Sequence, residues 1–303
     1  MRTLNAPDWL VARPIAHRGL HDASRGVIEN TLAAAEAAIA QEFAIECDVQ
    51  LSRDEEVFVF HDDALDRLTD ATGRLIDKRA AEIRRASFLP VHGEKSLPPG
   101  EDPGVAEGRM RGGAALSGEA CAAPHPGPLP AQRGEGALIP TLAEFLALVA
   151  GRTPVICELK SRFDGDWRIG DKVAAIAASY DGPLALKSFD PDLVAYLRLK
   201  YPRLGPPGLP CPVGVVAEGS YDDPYWAFLT PEQKRTCESF DHRARSEPDF
   251  LSWNVDDLPH ETPFFEKEFY GLPVMAWTVR SAAQREAAHK WADQIVFEGE
   301  GRP

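Results

Sequence analysis

The chain has 303 residues, 44% of them hydrophobic, with a formal net charge of −14 and a pI near 5.1. That is enough apolar material for one large domain or two small ones, and so acidic a chain repels nucleic acid and anionic membrane surfaces, so neither is expected as a main partner. Five scattered cysteines (Cys47, Cys121, Cys157, Cys211 and Cys237) without a C-x-x-C pair argue against a disulfide framework and against a zinc knuckle. The sequence shows no signal-peptide pattern and no membrane-spanning apolar run, which predicts a cytoplasmic protein without a stable membrane anchor.

In chain order, short apolar runs alternate with helical patterns. Pro14 to Ala16 reads as a strand, Thr31 to Gln41 as an Ala-rich helix, Phe43 to Gln50 as a strand and Val57 to Phe60 as another short extended run. Residues 91–137 then carry 10 Gly and 7 Pro, with no Phe, Tyr, Trp or Ile. A segment of that composition cannot bury enough apolar surface to offset its ordering entropy, so a flexible insertion is expected there. Without it 256 residues remain, close to the ~250 typical of a (β/α)8 barrel. Beyond it, Thr141 to Ala150 is expected to be a helix, opened by the capping-box pair Thr141 and Glu144. Pro154 to Leu159 reads as a strand, Asp171 to Ala178 as a helix, Leu184 to Lys187 as a strand and Pro191 to Lys200 as a helix with proline at its first position. Strands follow at Val213 to Val216, Phe250 to Trp253 and Pro273 to Trp277, then a helix at Ser281 to Trp291 and a last strand at Gln294 to Phe297. Alternation of this kind implies βαβ units. About eight of them point to one TIM-type (β/α)8 barrel domain spanning 1–303, class α/β, with 91–137 inserted into it.

Polar residues gather where these strands end, which in such a barrel is the active-site mouth. His17, Arg18 and Gly19 follow the first strand: an acid/base group beside an anion-binding cation. In Glu46-Cys47-Asp48 the two carboxylates are two residues apart and so share one face. A pair of hard oxygen donors in an apolar strand suits Mg2+ or Ca2+, the alternative being two structural salt bridges. His61 is a second histidine at the end of an extended run. Glu158 and Lys160 repeat the two-residue spacing and offer a third carboxylate and an ammonium for an anion. Glu29 and Asn30 are equally readable as structural or functional, with Asn30-Thr31 starting the first helix. His21, His92, His125, His242, His260 and His289 are expected to be solvated loop or helix-surface residues.

The run Ile15 to Gly19 (IAHRG), with Glu29 to Thr31 (ENT), Glu46 to Asp48 (ECD), His61 to Arg67 (HDDALDR), Glu158 to Lys160 (ELK), Ser188 to Asp190 (SFD) and Trp277 to Val279 (WTV), resembles the glycerophosphodiester phosphodiesterase family. The resemblance covers roughly Pro14 to Phe297 outside the insertion. It implies a TIM barrel that hydrolyses glycerophosphodiesters to sn-glycerol 3-phosphate and an alcohol. It implies that His17 and His61 are the acid/base pair, and that Glu46, Asp48 and Glu158 hold one divalent cation, Mg2+ or Ca2+. It further implies Arg18 and Lys160 beside the phosphate and Trp277 beside the alcohol. A small-molecule phosphodiester is then the expected partner. The alternatives are a lysophospholipid or another phosphodiester on the same barrel, or a catalytically inactive binding barrel. Two departures stand out: Phe297-Glu298 ends the last strand where the family usually has Thr-Asp, and the insertion after Phe88 sits where the family carries a small extra subdomain.

Overall fold

The computed structural model describes residues 6–89 and 138–303. Its strands are β1 (Ile15–Ala16), β2 (Ala44–Leu51), β3 (Val57–Val59), β4 (Val155–Leu159), β5 (Leu184–Ser188), β6 (Val213–Ala217), β7 (Leu251–Asn254), β8 (Val274–Val279) and β9 (Gln294–Phe297). The helices are α1 (Leu32–Ile39), α2 (Ala80–Ile83), α3 (Leu142–Val149), α4 (Arg168–Ala177), α5 (Pro191–Lys200), α6 (Pro231–Glu238), α7 (Arg243–Ser246), α8 (Glu261–Glu268) and α9 (Ala282–Trp291). Parallel pairing runs β1-β2-β4-β5-β6-β7-β8-β9, and β9 pairs back onto β1 (Ile15 with Val296), so eight strands close on themselves. This is the expected (β/α)8 barrel.

Side chains alternate in and out along each strand. The outward set, including Ala16, Ile45, Cys47, Val155, Cys157, Leu186, Val215, Trp253, Ala276 and Phe297, packs on the helices. The first inward set, Ile15, Ala44, Ile156, Ala185, Phe250, Met275 and Val296, forms a dry floor capped by Leu10. One step further along the strands, the inward positions become Glu46, Glu158, Lys187 and their neighbours, so charge begins one layer above the floor.

Val57 to Phe60 is not a barrel strand. β3 runs antiparallel to β2, pairing Val49 with Val59 and Leu51 with Val57. The eight-residue β2 carries the chain beyond the mouth, and β3 brings it back until the Phe60 N–H donates to the Asp48 carbonyl (3.0 Å). His61 therefore reaches the mouth from above, on a returning strand, rather than at the end of a barrel strand as His17 does. The outer side of β3 is covered by a second core of Phe58, Phe60, Leu65, Leu75, Ile83, Phe88 and Ile139. Ser87 bridges to Leu138, so the ends flanking residues 90–137 meet at one edge; the expected insertion at 91–137 lies outside the described residues.

The caps behave as expected. Thr141 and Glu144 exchange both capping-box hydrogen bonds, Asp190 caps α5 ahead of Pro191, and Ser281 caps α9. Helices α6 and α8 have no counterpart in the sequence reading because neither carries an apolar stripe. α6 buries only Cys237, and in α8 the apolar Phe264 and Phe265 face outward while Glu266 is buried against Arg243. His242 was expected at the surface but is buried against Ser246 (3.0 Å), where desolvation pushes its pKa down to about 4. Cys47, Cys157, Cys211 and Cys237 are free and buried. Among the described residues no helix is long and apolar enough to cross a membrane.

Gly214 is the inward residue of β6 at floor level, and a Cβ there would lie 2.5 Å from the Phe250 ring. Gly214→Ala is expected to overpack the floor and lower stability by about 1–3 kcal/mol, read as a fall in the urea midpoint without a change in m-value.

Candidate active site

Three carboxylates, Glu46 and Asp48 from β2 and Glu158 from β4, are buried side by side, and one oxygen from each lies within 4.8 Å of the others. Two lysines hold them together. Lys160 Nζ is 2.8 Å from Asp48 and 2.6 Å from Glu158; Lys187 Nζ is 3.1 Å from Glu46 and 3.4 Å from Glu158. Burial pushes the carboxyls of Asp48 and Glu158 up, yet Lys160 beside both, with Lys187 also beside Glu158, brings them below the ordinary carboxylate range. Burial opposes charge on the lysines, and the carboxylates overcome it, so both ammonium groups are held above their usual range. Nothing in the sequence marks Lys187: it sits in Leu184-Ala-Leu-Lys-Ser188 with no partner nearby in the chain, and only strand pairing sets it opposite Glu158.

The backbone after β1 is pinned into this cluster. Arg18 takes φ +56° and its N–H donates to Glu46 Oε2 (3.0 Å). Gly19 follows at φ +77°, against Ala34, where a Cβ would meet that residue at 2.8 Å. Asn30 also has a positive φ (+57°), its N–H donates to the Arg18 carbonyl, and its side chain exchanges two hydrogen bonds with Asp48 (2.9 and 3.2 Å). Left-handed non-glycine residues are costly and persist where surrounding contacts over-determine them. Asn30 thus positions Asp48, while the cap of α1 is Thr31.

Both histidines are held the same way. His61 Nδ1 is 2.9 Å from Asp62, and Arg67 grips both Asp62 oxygens (2.5 and 2.8 Å). His17 Nδ1 is hydrogen-bonded to Glu298, whose other oxygen accepts from Arg280 Nε (2.8 Å). Against the cost of burial, these partners hold Asp62 and Glu298 well below the carboxylate range. As ionised acceptors they fix Nδ1 of each ring as the donor and leave Nε2 for chemistry. His17 Nε2 lies 3.8 Å from Glu46. Desolvation, with Arg18 and Lys160 nearby, pushes the pKa of His61 below its ordinary value, which keeps that ring neutral near pH 7. Glu29 bridges Arg18 (2.8 Å) and Arg67 (2.7 and 3.0 Å), and these cations outweigh its burial and bring it down to about 2. His21, expected in solvent, lies 3.6 Å from Glu298.

Every site residue expected from the sequence lies in or beside one cavity, lined by His17, Arg18, His61, Glu158, Lys160 and Trp277 among others, with Glu46 and Asp48 beneath. The far wall is Phe189, from the Ser188-Phe189-Asp190 motif, with Glu218, Tyr225 and Trp226, which no motif in the sequence marks. Glu218 is the inward residue just past β6, a signal visible in Val213-Gly-Val-Val-Ala-Glu218 by its parity alone.

The family whose sequence model matches, described as the glycerophosphoryl diester phosphodiesterase family, aligns over residues 17–299. The chain belongs to that family. Among curated relatives, glycerophosphodiester phosphodiesterase 1 of Homo sapiens is 44% identical over 80 residues, 26% of this chain and 23% of that protein. A glycerophosphodiester phosphodiesterase of Caldanaerobacter subterraneus is 40% identical over 82 residues, 27% of this chain and 32% of that protein. These alignments thus span only about a quarter to a third of the curated relatives. Among solved structures, an Oleispira antarctica phosphodiesterase in complex with the product sn-glycerol-3-phosphate superposes with TM-score 0.64 at 18% identity, covering 95% of this chain and 93% of that one. A glycerophosphodiester phosphodiesterase from Thermotoga maritima gives 0.58 at 20% identity, covering 93% and 92%. At such identities the likeness shows the barrel fold.

Lys187→Met is expected to strand Glu46 without its buried lysine, leave Glu158 with Lys160 alone, and cost about 3–5 kcal/mol of stability in a denaturant titration. Adding a divalent cation should recover part of that loss, which a purely packing defect would not allow.

Proposed function

We propose that the protein hydrolyses glycerophosphodiesters to sn-glycerol 3-phosphate and an alcohol, with His17 and His61 as the proton-transfer pair and a divalent cation at Glu46, Asp48 and Glu158. The observation that carries this reading is the pairing of two carboxylate-held, arginine-braced histidines with a buried three-carboxylate cluster in one mouth. It agrees with the family and with the product found in the Oleispira antarctica structure.

The donor set fits a hard dication. It is all oxygen, and Glu46 Oε1 and Asp48 Oδ1 are buried with lysine ammonium groups as their neighbours rather than a full set of hydrogen bonds. Formally, the six carboxylates of Glu29, Glu46, Asp48, Asp62, Glu158 and Glu298 outnumber the five cations Arg18, Arg67, Lys160, Lys187 and Arg280 by one. One dication would leave the mouth net positive, as binding an anionic phosphodiester requires. When bound, Mg2+ or Ca2+ supplies Lewis-acid stabilisation of the charge that builds on phosphate oxygen.

This chain's own groups do the rest. Arg18 and Lys160 face the cavity and hold the phosphate by charge-assisted hydrogen bonds. His61, neutral through burial, takes the proton from the attacking hydroxyl of water or of the substrate itself, and His17 gives one to the leaving alkoxide as the P–O bond breaks; where the substrate's own hydroxyl attacks, water then opens the cyclic phosphodiester with the two histidines in exchanged roles. Trp277, fixed by its indole N–H on the Ser252 carbonyl (2.9 Å), walls the organic part of the substrate. The reading also takes the chain as one cytoplasmic domain.

Release of sn-glycerol 3-phosphate from glycerophosphocholine should be abolished by EDTA and restored by Mg2+ or Ca2+. His17→Ala and His61→Ala should each lose about 10²- to 10⁴-fold in kcat with circular dichroism unchanged; full activity in either would remove the acid/base assignment. Because His61 works as the neutral base and its pKa is depressed, the kcat/KM profile should be bell-shaped, with its acid limb centred below pH 6.5. An acid limb centred above that value would exclude His61 as the base.

A further inference from the structure

Resting on the proposed hydrolysis, the geometry points to Glu218 as the residue that reads the hydroxyl groups of the substrate's glycerol half. Around the closed ring β6 is four strands from β1 in either direction, so Glu218 stands directly across the mouth from His17. The two sides differ in kind. The charged network centres on the β1, β2 and β4 side, and the opposite wall is Phe189, Tyr225, Trp226 and Trp277 with Glu218 as its acid; the flanking Lys187 and Arg280 are paired with network carboxylates. Phosphate goes to the cationic side, which leaves the polyol against this wall.

Glu218 is 5% exposed, and its partners are neutral donors, the indole N–H of Trp226 and the amide of Asn254 (3.3 Å). Each carboxyl oxygen can accept two hydrogen bonds, so capacity remains on both oxygens for hydroxyls entering the cavity. Burial pushes its pKa up to about 7, which suits hydroxyl recognition and weakens it as a receptor for cations. The rings around it also argue against a cage for a cationic alcohol. Trp226 is 3% exposed and packed by Phe189 (4.9 Å), Tyr221 (5.0 Å) and Tyr225 (4.7 Å), so it has no open face to offer. Phe189 and Trp277 meet edge to face at 5.4 Å.

The test compares sn-glycerol 3-phosphate with propyl phosphate, which lacks both hydroxyls, by calorimetric titration of wild type, Glu218→Gln and Glu218→Ala in the presence of the divalent cation. Wild type should prefer glycerol 3-phosphate by about 10- to 100-fold. Glu218→Ala should lose that preference, Glu218→Gln should keep part of it, and propyl phosphate should bind all three alike. Equal weakening of both ligands, the mark of a role confined to holding Trp226 and Asn254, would overturn the assignment, as would an unchanged preference. Choline binding that falls with Glu218→Ala while the hydroxyl preference persists would overturn it too. Glycerophosphocholine turnover is measured on the same wild-type preparation. No product there would remove the proposed reaction, while the ligand comparison still decides whether Glu218 reads hydroxyls.

Discussion

Five ionisable groups crowded into one barrel mouth, the buried Glu46, Asp48, Glu158 and Lys187 with the partly exposed Lys160 over them, are the constraint from which the rest of the site follows. Any one of them alone in that position would be strongly unfavourable, because the desolvation of a single charge is larger than a protein of ordinary stability can absorb. Together they are tolerable because strand pairing sets opposite charges at contact distance, Glu158 beside Lys187 on adjacent strands and Asp48 beside Lys160. The arrangement holds only while the barrel is closed. It also explains the strained backbone at Arg18 and Asn30: both residues direct donors onto the buried carboxylates, and the hydrogen bonds they make there offset the left-handed conformation.

The two histidines show one solution reached by two routes. His17 rides a barrel strand and takes its carboxylate, Glu298, from the end of β9, which neighbours β1 because the barrel closes. His61 descends on an antiparallel strand and takes Asp62 from its own chain neighbour. Each carboxylate is braced by an arginine, Arg280 or Arg67, which keeps it an ionised acceptor and hence fixes the ring tautomer. The unusual Phe297-Glu298 ending therefore still sets a carboxylate at the last corner, where Glu298 reaches Nδ1 of His17. Glu29 ties the two halves together by holding Arg18 and Arg67 at once.

Charge asymmetry across the mouth gives the cavity a direction. On one side the arginines and lysines lie over the carboxylate layer; on the other, Trp226 is wedged among Phe189, Tyr221 and Tyr225 and presents Glu218 through its indole N–H. A substrate with a charged phosphate and an uncharged polyol matches this division.

The sequence by itself determined the barrel and most of the charged half of the site. Period-two spacing in Glu46-Cys47-Asp48 and Glu158-Leu159-Lys160 is a local property that fixes which side chains share a face, and a polar residue after an apolar run marks a strand end wherever the strand lies. What it could not determine depends on which strands are neighbours and in which direction they run. Lys187 is an unremarkable lysine until β5 is paired with β4, Glu298 is a departure from pattern until β9 closes on β1, and Val57 to Phe60 reads as one more strand until its antiparallel return is seen. Helices α6 and α8 escaped for a related reason: their stability comes from docking and caps rather than from an apolar stripe. Local spacing set the chemistry that each strand could offer, and only closure of the barrel decided which charges would face one another.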